Sequence, residues 1–233
     1  MTRPNSDPSK RLGTLMCHAT RDVLWPPVQD WVQSQHKAAG LVLRVGSGQA
    51  TYHRFDPRRN EHLITYGARM IAAKYEPASA QGWLSTREIR QRRYFGGEVS
   101  VLNLLAHTCC HEFAHLLQSA AGKRTHGSVH NRHFYQALDQ LHQSGAAHAT
   151  RAFLQQQALA SGVALPDAPL DLPDPRQLLQ SWRVGDAVSF GDGPRRKQGW
   201  VLRVNRKTCT VEGTHESRGV RYRVPVSMLR PGH

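Results

Sequence analysis

The stretch Val99–Gly122, VSVLNLLAHTCCHEFAHLLQSAAG, is the one on which the reading of this chain turns. It is rich in Leu and Ala, contains no Pro and stops at a Gly, so it predicts one long helix with Gly122 just past its end. Leu104, Leu105, Leu116 and Leu117 read as core. Within it, His111-Glu112-Phe113-Ala114-His115 is an HExxH motif. Residues four apart lie one turn apart on one face, so both imidazoles can converge on one metal ion. Zinc suits them, because it takes nitrogen ligands at about 2.0–2.1 Å without a geometric demand of its own. Glu112 sits beside the first ligand, placed to take a proton from a metal-bound water as that water attacks a carbonyl. With 14 His and 7 Glu among 233 residues, chance supplies roughly 0.025 such matches.

A catalytic zinc needs a third protein ligand and an open position. His107 shares the face but lies eight residues before His115, about 12 Å along the axis, too far for three short bonds to one ion. It reads instead as a hydrogen-bonding neighbour. The following loop, KRTHGSVHN, and the residues just after it offer His126, His130 and His133, and spacing does not choose among them. A helix follows in which Phe134, Ala137, Leu138 and Leu141 recur at i, i+3, i+4 and i+7. Cys109 and Cys110 read as inert packing on an apolar helix rather than as thiolate ligands. Tyr135 could donate to an oxyanion, though a Tyr at a helix start is ordinarily a packing residue.

HEFAHLLQ, a short loop and then VHNRHFYQAL resemble the SprT-like (Spartan-type) zinc metallopeptidases, over about residues 35–145. In that pattern a His stands four residues before the Phe that opens the next helix. The resemblance therefore implies metal ligands His111, His115 and His130, with Glu112 as general base. It also implies a zincin-like catalytic domain, helices packed on a small sheet, acting on proteins bound or crosslinked to DNA. The family places Gly after its third His; here Asn131 stands there, and Gly127 follows His126 instead. The zinc ribbon of SprT itself has no counterpart in the chain.

Outward from this core, residues 1–24 mix Pro, Ser, Arg and Lys without periodicity and read as a loose leader. Val28, Trp31 and Val32 share a helical face in a segment that Gly40 would close. LVLRV (41–45), ATYHRF and HLITYG (62–67) read as strands and ARMIAAKY as a short helix. From Glu76 to Arg93 the pattern supports no assignment. LPDAPLDLPDP (165–175) holds four prolines and reads as a linker. Beyond it the period changes to two: RVGDAVSF, GWVLRVN, TCTVEG and GVRYRV are short alternating strands separated by turns. The expected organisation is a leader over 1–24, a metallopeptidase domain over 25–164, a linker over 165–178 and a small five-stranded barrel over 179–233. The fold class is α+β followed by an all-β module similar to SH3-like or KOW-like barrels.

Composition narrows the function. A chain with 39% hydrophobic and 21% charged residues fits a globular protein. No apolar run approaches the roughly 18 residues of a membrane span, and no secretory signal opens the chain. Four cysteines without a CxxC pair exclude a disulfide scaffold and a zinc ribbon. A cytoplasmic address follows, with nucleoid association open to it. Thirty-one Lys and Arg against 17 Asp and Glu give +14, a field that concentrates polyanions. From Leu179 to His233 there are 11 basic and 4 acidic residues, or +7. Alternation there puts Trp200, Leu202 and Val204 on one face and Arg203 on the other, with Val220, Tyr222 and Val224 opposing Arg221 and Arg223. Arg203, Arg206, Lys207, Arg221 and Arg223 would then form a phosphate-contacting surface without sequence specificity.

Two readings follow. One is a zinc endopeptidase with a protein or peptide substrate, held on DNA or nucleoprotein by the basic module, with an exposed strand among 41–67 or the segment before Glu98 available to pair with an extended peptide. The other is a nucleic-acid-binding or regulatory protein in which zinc is structural or absent. Glu112 favours the first, since a structural site has no use for a general base there. Hydrolysis of something other than peptides stays open, because HExxH reports activated water more directly than substrate.

Overall fold

Where a loose leader is expected, the computed structural model has a helix; it describes residues 7–35, 38–125, 127–172, 175–191 and 196–232. α1 (Pro8–Ala19) starts at Asp7, whose side chain accepts from the Ser9 amide at 2.9 Å, with Pro8 at the first helical position. Leu12, Leu15, Met16 and Ala19 follow at helical spacing, and all are buried. A π-helical turn (Thr20–Leu24) continues it, and Thr20 Oγ1 lies 2.6 Å from the Tyr66 hydroxyl. Each fully buried Leu or Met contributes about 1.5–3 kcal/mol, so this segment is core rather than leader.

After a 3₁₀ turn (Pro26–Val28), α2 (Gln29–Gln35) is shorter than the sequence suggests, and residues 36–37 lie outside the described ones. Gly40 opens β1 (Gly40–Gly46) instead of closing the helix; Ala38, at φ +55°, takes a left-handed position before it. α1 presses on β1, where a Cβ at Gly13 would sit 2.8 Å from Val45 Cγ1. With β2 (Tyr52–Asp56) and β3 (Glu61–Gly67) it forms a sheet ordered β1-β3-β2, parallel between β1 and β3 and antiparallel between β2 and β3. β3 is central and buried from His62 to Gly67, and β2 is an edge strand.

α3 (Ala68–Ala73) follows. The unassigned segment holds α4 (Pro77–Ala80), α5 (Leu84–Arg92) and a 3₁₀ turn (Tyr94–Gly97). Arg93 and Phe95 have φ of +57° and +51°, which interrupts any helical period. α6 (Val101–Ala120) is the long predicted helix, capped by Ser100 Oγ, which accepts from Asn103 N at 3.1 Å. All of α6 except His111, Leu117 and Ser119 is buried, as befits a helix apolar nearly all round. It packs on α7 (Arg132–Gln143), α8 (Ala146–Ala160) and β2. The expected linker is docked through Leu170. Pro166 O accepts from Leu102 N at 3.1 Å, Leu170 N donates to Val99 O at 2.8 Å, and Asp167 pairs with Arg151. The strap thus satisfies a first-turn N–H that α6 cannot satisfy itself.

The chain divides into two compact units, Met1–Tyr75 with Ser85–Leu170 and Glu76–Leu84 with Asp171–His233. These differ from the expected boundaries at both ends of the linker and by the inclusion of α4 in the second unit. That unit holds α9 (Pro175–Gln180), β4 (Ala187–Phe190), β5 (Lys197–Val204), β6 (Thr208–Gly213), β7 (Arg221–Pro225) and β8 (Arg230–Pro231). The strands form an antiparallel sheet ordered β7-β6-β5-β4-β8 over Val188, Val201, Cys209, Val211, Val224, Val226 and Leu229. Ahead of the register shift in β5 the phase is opposite to the expected one, while past it Arg203 is exposed and Val204 packs against the core as expected. Val201 is buried, whereas Trp200 and Leu202 are 51% and 36% exposed, with a register shift between Val201 and Arg203. The extra residue at the shift breaks the alternation, so Trp200 and Arg203, three positions apart, share the outer face while Val201 and Val204 share the inner one.

Candidate metal centre

The second half of α6 and the turn after it bring three imidazoles to one point. His111 Nε2 and His115 Nε2 each lie 3.2 Å from His130 Nε2. Ligands at the zinc–nitrogen bond length around a tetrahedral ion stand about 3.3–3.4 Å apart, so the spacing fits one ion with a fourth position open. The wiring behind the rings fixes which nitrogens carry protons. His111 Nδ1 donates to Glu88 Oε2 at 2.9 Å. His115 Nδ1 faces Gln118 Oε1 at 3.4 Å. Gln118 cannot turn its amide over, because its Nε2 donates to Val129 O at 3.0 Å and Asn131 Oδ1 at 2.9 Å. Both ligand nitrogens on α6 therefore present lone pairs inward, and one N–H on His130 could serve only one of them. A cation at the centre resolves that conflict, and the three histidines could hold a metal ion. Burial, and then His111 and His130, push His115 down to about 3, which keeps it a neutral donor.

Asn131 is the N-cap of α7. Its Oδ1 accepts from His133 N at 3.0 Å and Phe134 N at 3.2 Å as well as from Gln118. Phe134 is fully buried beneath the site, its ring 4.3–4.8 Å from those of His111, His115 and His130.

Behind His111 runs a buried polar chain. Glu88 Oε2, on α5, accepts from His111 Nδ1 and from His107 Nε2, both at 2.9 Å. His107 Nδ1 lies 3.1 Å from His142 Nε2, and Tyr94 stacks on His142 at 3.7 Å. Burial alone would raise the Glu88 carboxyl, but the two imidazole donors override it and hold Glu88 well below the usual carboxylate range. Glu88, His107 and His111 also lie close enough together to hold an ion. Their two hydrogen bonds to a single carboxylate oxygen already satisfy the nitrogens, so this set reads as support for His111.

Glu112 is 6% exposed, and its Oε2 has no partner among the described residues. Burial pushes its carboxyl up to about 7, against the opposing pull of His111 and of the His53 backbone on β2. Arg124 Nη1 lies 3.3 Å from both His53 Nδ1 and His53 O. Lys74 Nζ donates to Ser85 Oγ at 2.7 Å; burial lowers the ammonium to about 7, and Glu88 and Glu112 pull it back up.

Of the predicted residues, His111, His115 and His130 meet, with Glu112 in the same helical turn. His126 lies outside the described residues. His133 is exposed on α7 beside an apolar groove shared with Trp31 and Leu141. Cys109 and Cys110 are fully buried, and burial raises both thiols, Cys110 to about 12. The Tyr135 ring lies 3.9 Å under the Arg92 guanidinium. Arg203, Arg206, Lys207, Arg221 and Arg223 are all exposed. Sequence reasoning missed Glu88, Gln118 and the outward Trp200. His107, stranded on the ligand face, was the available hint that a carboxylate had to be found for it. No family model, curated protein or solved structure matches the chain.

Proposed function

We propose that this protein is a zinc-dependent endopeptidase of the SprT-like kind, with a zincin-like first unit and a second unit akin to SH3-like or KOW-like barrels. One observation carries the reading: three Nε2 atoms converge on a single point, with Glu112 in the turn between two of them. Three imidazoles and an open fourth position suit zinc at a catalytic site better than at a structural one. When bound, zinc would polarise a carbonyl and lower the pKa of a coordinated water to near 7.

The chain's own residues do the rest. Glu112 takes a proton from the attacking water and passes it to the leaving amine, and a carboxyl near pH 7 is matched to both transfers. Glu88 holds the His111 ring and its tautomer; Gln118 does the same for His115. β2 is the edge strand next to Glu112, so an extended peptide pairing with it would run past the site. The basic second unit holds the enzyme on DNA or on a nucleoprotein substrate.

The test is elemental analysis of the purified full chain beside hydrolysis of a denatured protein, with and without DNA. Near-stoichiometric zinc is expected in the wild type, lost in His130→Ala and kept in Glu112→Gln. The latter should hydrolyse substrate about 10²–10⁴-fold more slowly. A metal-replete wild type without zinc would overturn the reading and leave nucleic-acid binding as the function to pursue.

A further inference from the structure

We propose that the outer face of the second unit's sheet binds single-stranded nucleic acid, with Trp200 as the platform on which an unpaired base stacks. This rests on the reading of that unit as a nucleic-acid surface, and adds the form of the ligand and the residue that selects it.

Trp200 stands 51% exposed in the middle of β5, on the face opposite to that of the core residue Val201. The register places it opposite Glu212, which is opposite Arg221; one step along the strands, Arg203 is opposite Thr210, which is opposite Arg223. Adjacent strands are about 4.8 Å apart, so the indole and the outermost arginines span about 10 Å of one face. Arg223 Nε donates to Thr208 Oγ1 at 3.2 Å, which lays that side chain along the sheet. Beside the indole is a surface hollow also lined by His215, Arg218 and Gly219.

The neighbours of Trp200 select the partner. A protein-docking Trp is ringed by apolar surface, whereas here the apolar neighbours are Leu202 on its own strand and the small Ala187 opposite it on β4, Glu212 and then Arg221 stand on its other side, and His215 and Arg218 line the adjoining hollow. In a duplex both faces of every base are already stacked, so an exposed indole can stack only on an unpaired base. Glu212 repels phosphate from the Trp200 row, which leaves the Arg203–Thr210–Arg223 row for the backbone.

Fluorescence anisotropy with labelled dT20, its duplex with dA20, and U20, across 50–300 mM salt, tests this on the full chain. The wild type should bind dT20 or U20 more tightly than the duplex. Trp200→Ala should weaken that binding about 5- to 100-fold with the salt slope unchanged, and Trp200→Phe should restore part of it. Arg203→Ala and Arg223→Ala should each flatten the slope by about 0.7, and Glu212→Gln should tighten binding. If Trp200→Ala binds dT20 and U20 as tightly as the wild type, or the duplex binds best, the inference fails while the nucleic-acid reading stands. If none of the three probes binds, both fail.

Discussion

Around α6 the polar groups are buried and each is tied to the next, whereas on the second unit's sheet the arginines stand in solvent and can act one at a time. His111, Glu88, His107 and His142 form one chain, so removing any member strands a buried partner. On the sheet, Arg203, Arg221 and Arg223 share a face without sharing a hydrogen bond among the described residues, and their losses should add. A buried network makes function nearly all-or-none; an exposed one makes it graded and salt-dependent.

The sharpest test of that contrast is pH. The second unit's core has no buried carboxylate or imidazole among the described residues, whereas Glu112 in the first is held near 7 by burial. Its folded-state pKa lies above its unfolded value, so the stability it contributes is complete below the unfolded pKa of 4.5 and is lost as pH rises through about 7. In metal-free protein, Glu112→Gln should therefore gain on the wild type by up to about 3 kcal/mol between pH 4.5 and 8. Denaturant melts at both pH values measure it, and a pH-independent difference would break the contrast. Next in size, Glu88→Gln should weaken metal binding about 10–100-fold in a chelator competition, because an amide cannot accept both imidazole protons as an anion does. Smallest is the phase of β5. Val201→Ala should lower stability by about 1–2 kcal/mol, and Leu202→Ala by no more than about 0.5 kcal/mol. Equal losses would mean that the sheet buries both faces.

What the sequence made legible follows the same division. The helix 99–122, the strands of both sheets except the two-residue β8, and the pair His111 and His115 could be read because periodicity and i, i+4 spacing are local properties. His130 came only through the family resemblance, since spacing left three histidines open. Glu88 could not be read: α5 is short and polar, it runs into two left-handed non-glycine residues, and its meaning depends on His107 and His111, 19 and 23 positions away. α1 was readable in principle, since Asp7-Pro8 marks a start and Leu12, Leu15, Met16 and Ala19 keep a helical period, but the surrounding Pro, Ser and Arg masked it. β5 misled for another reason. Trp200 and Leu202 on one face and Val201 on the other are all apolar, so alternation alone cannot choose the buried side.

Asn131 joins the start of α7 to a donor ring on α6 through a single amide. Its oxygen serves two helix-opening N–H groups and Gln118, and Gln118 in turn sets the tautomer of His115. The backbone amides of His133 and Phe134 therefore form a gauge of the site. If an ion is held, the three rings, the glutamine and the cap close into one circuit, and those two protons should exchange slowly with solvent deuterium. Removing such an ion with a chelator should loosen the circuit and speed the exchange of both protons, although neither residue is among the three that could hold it.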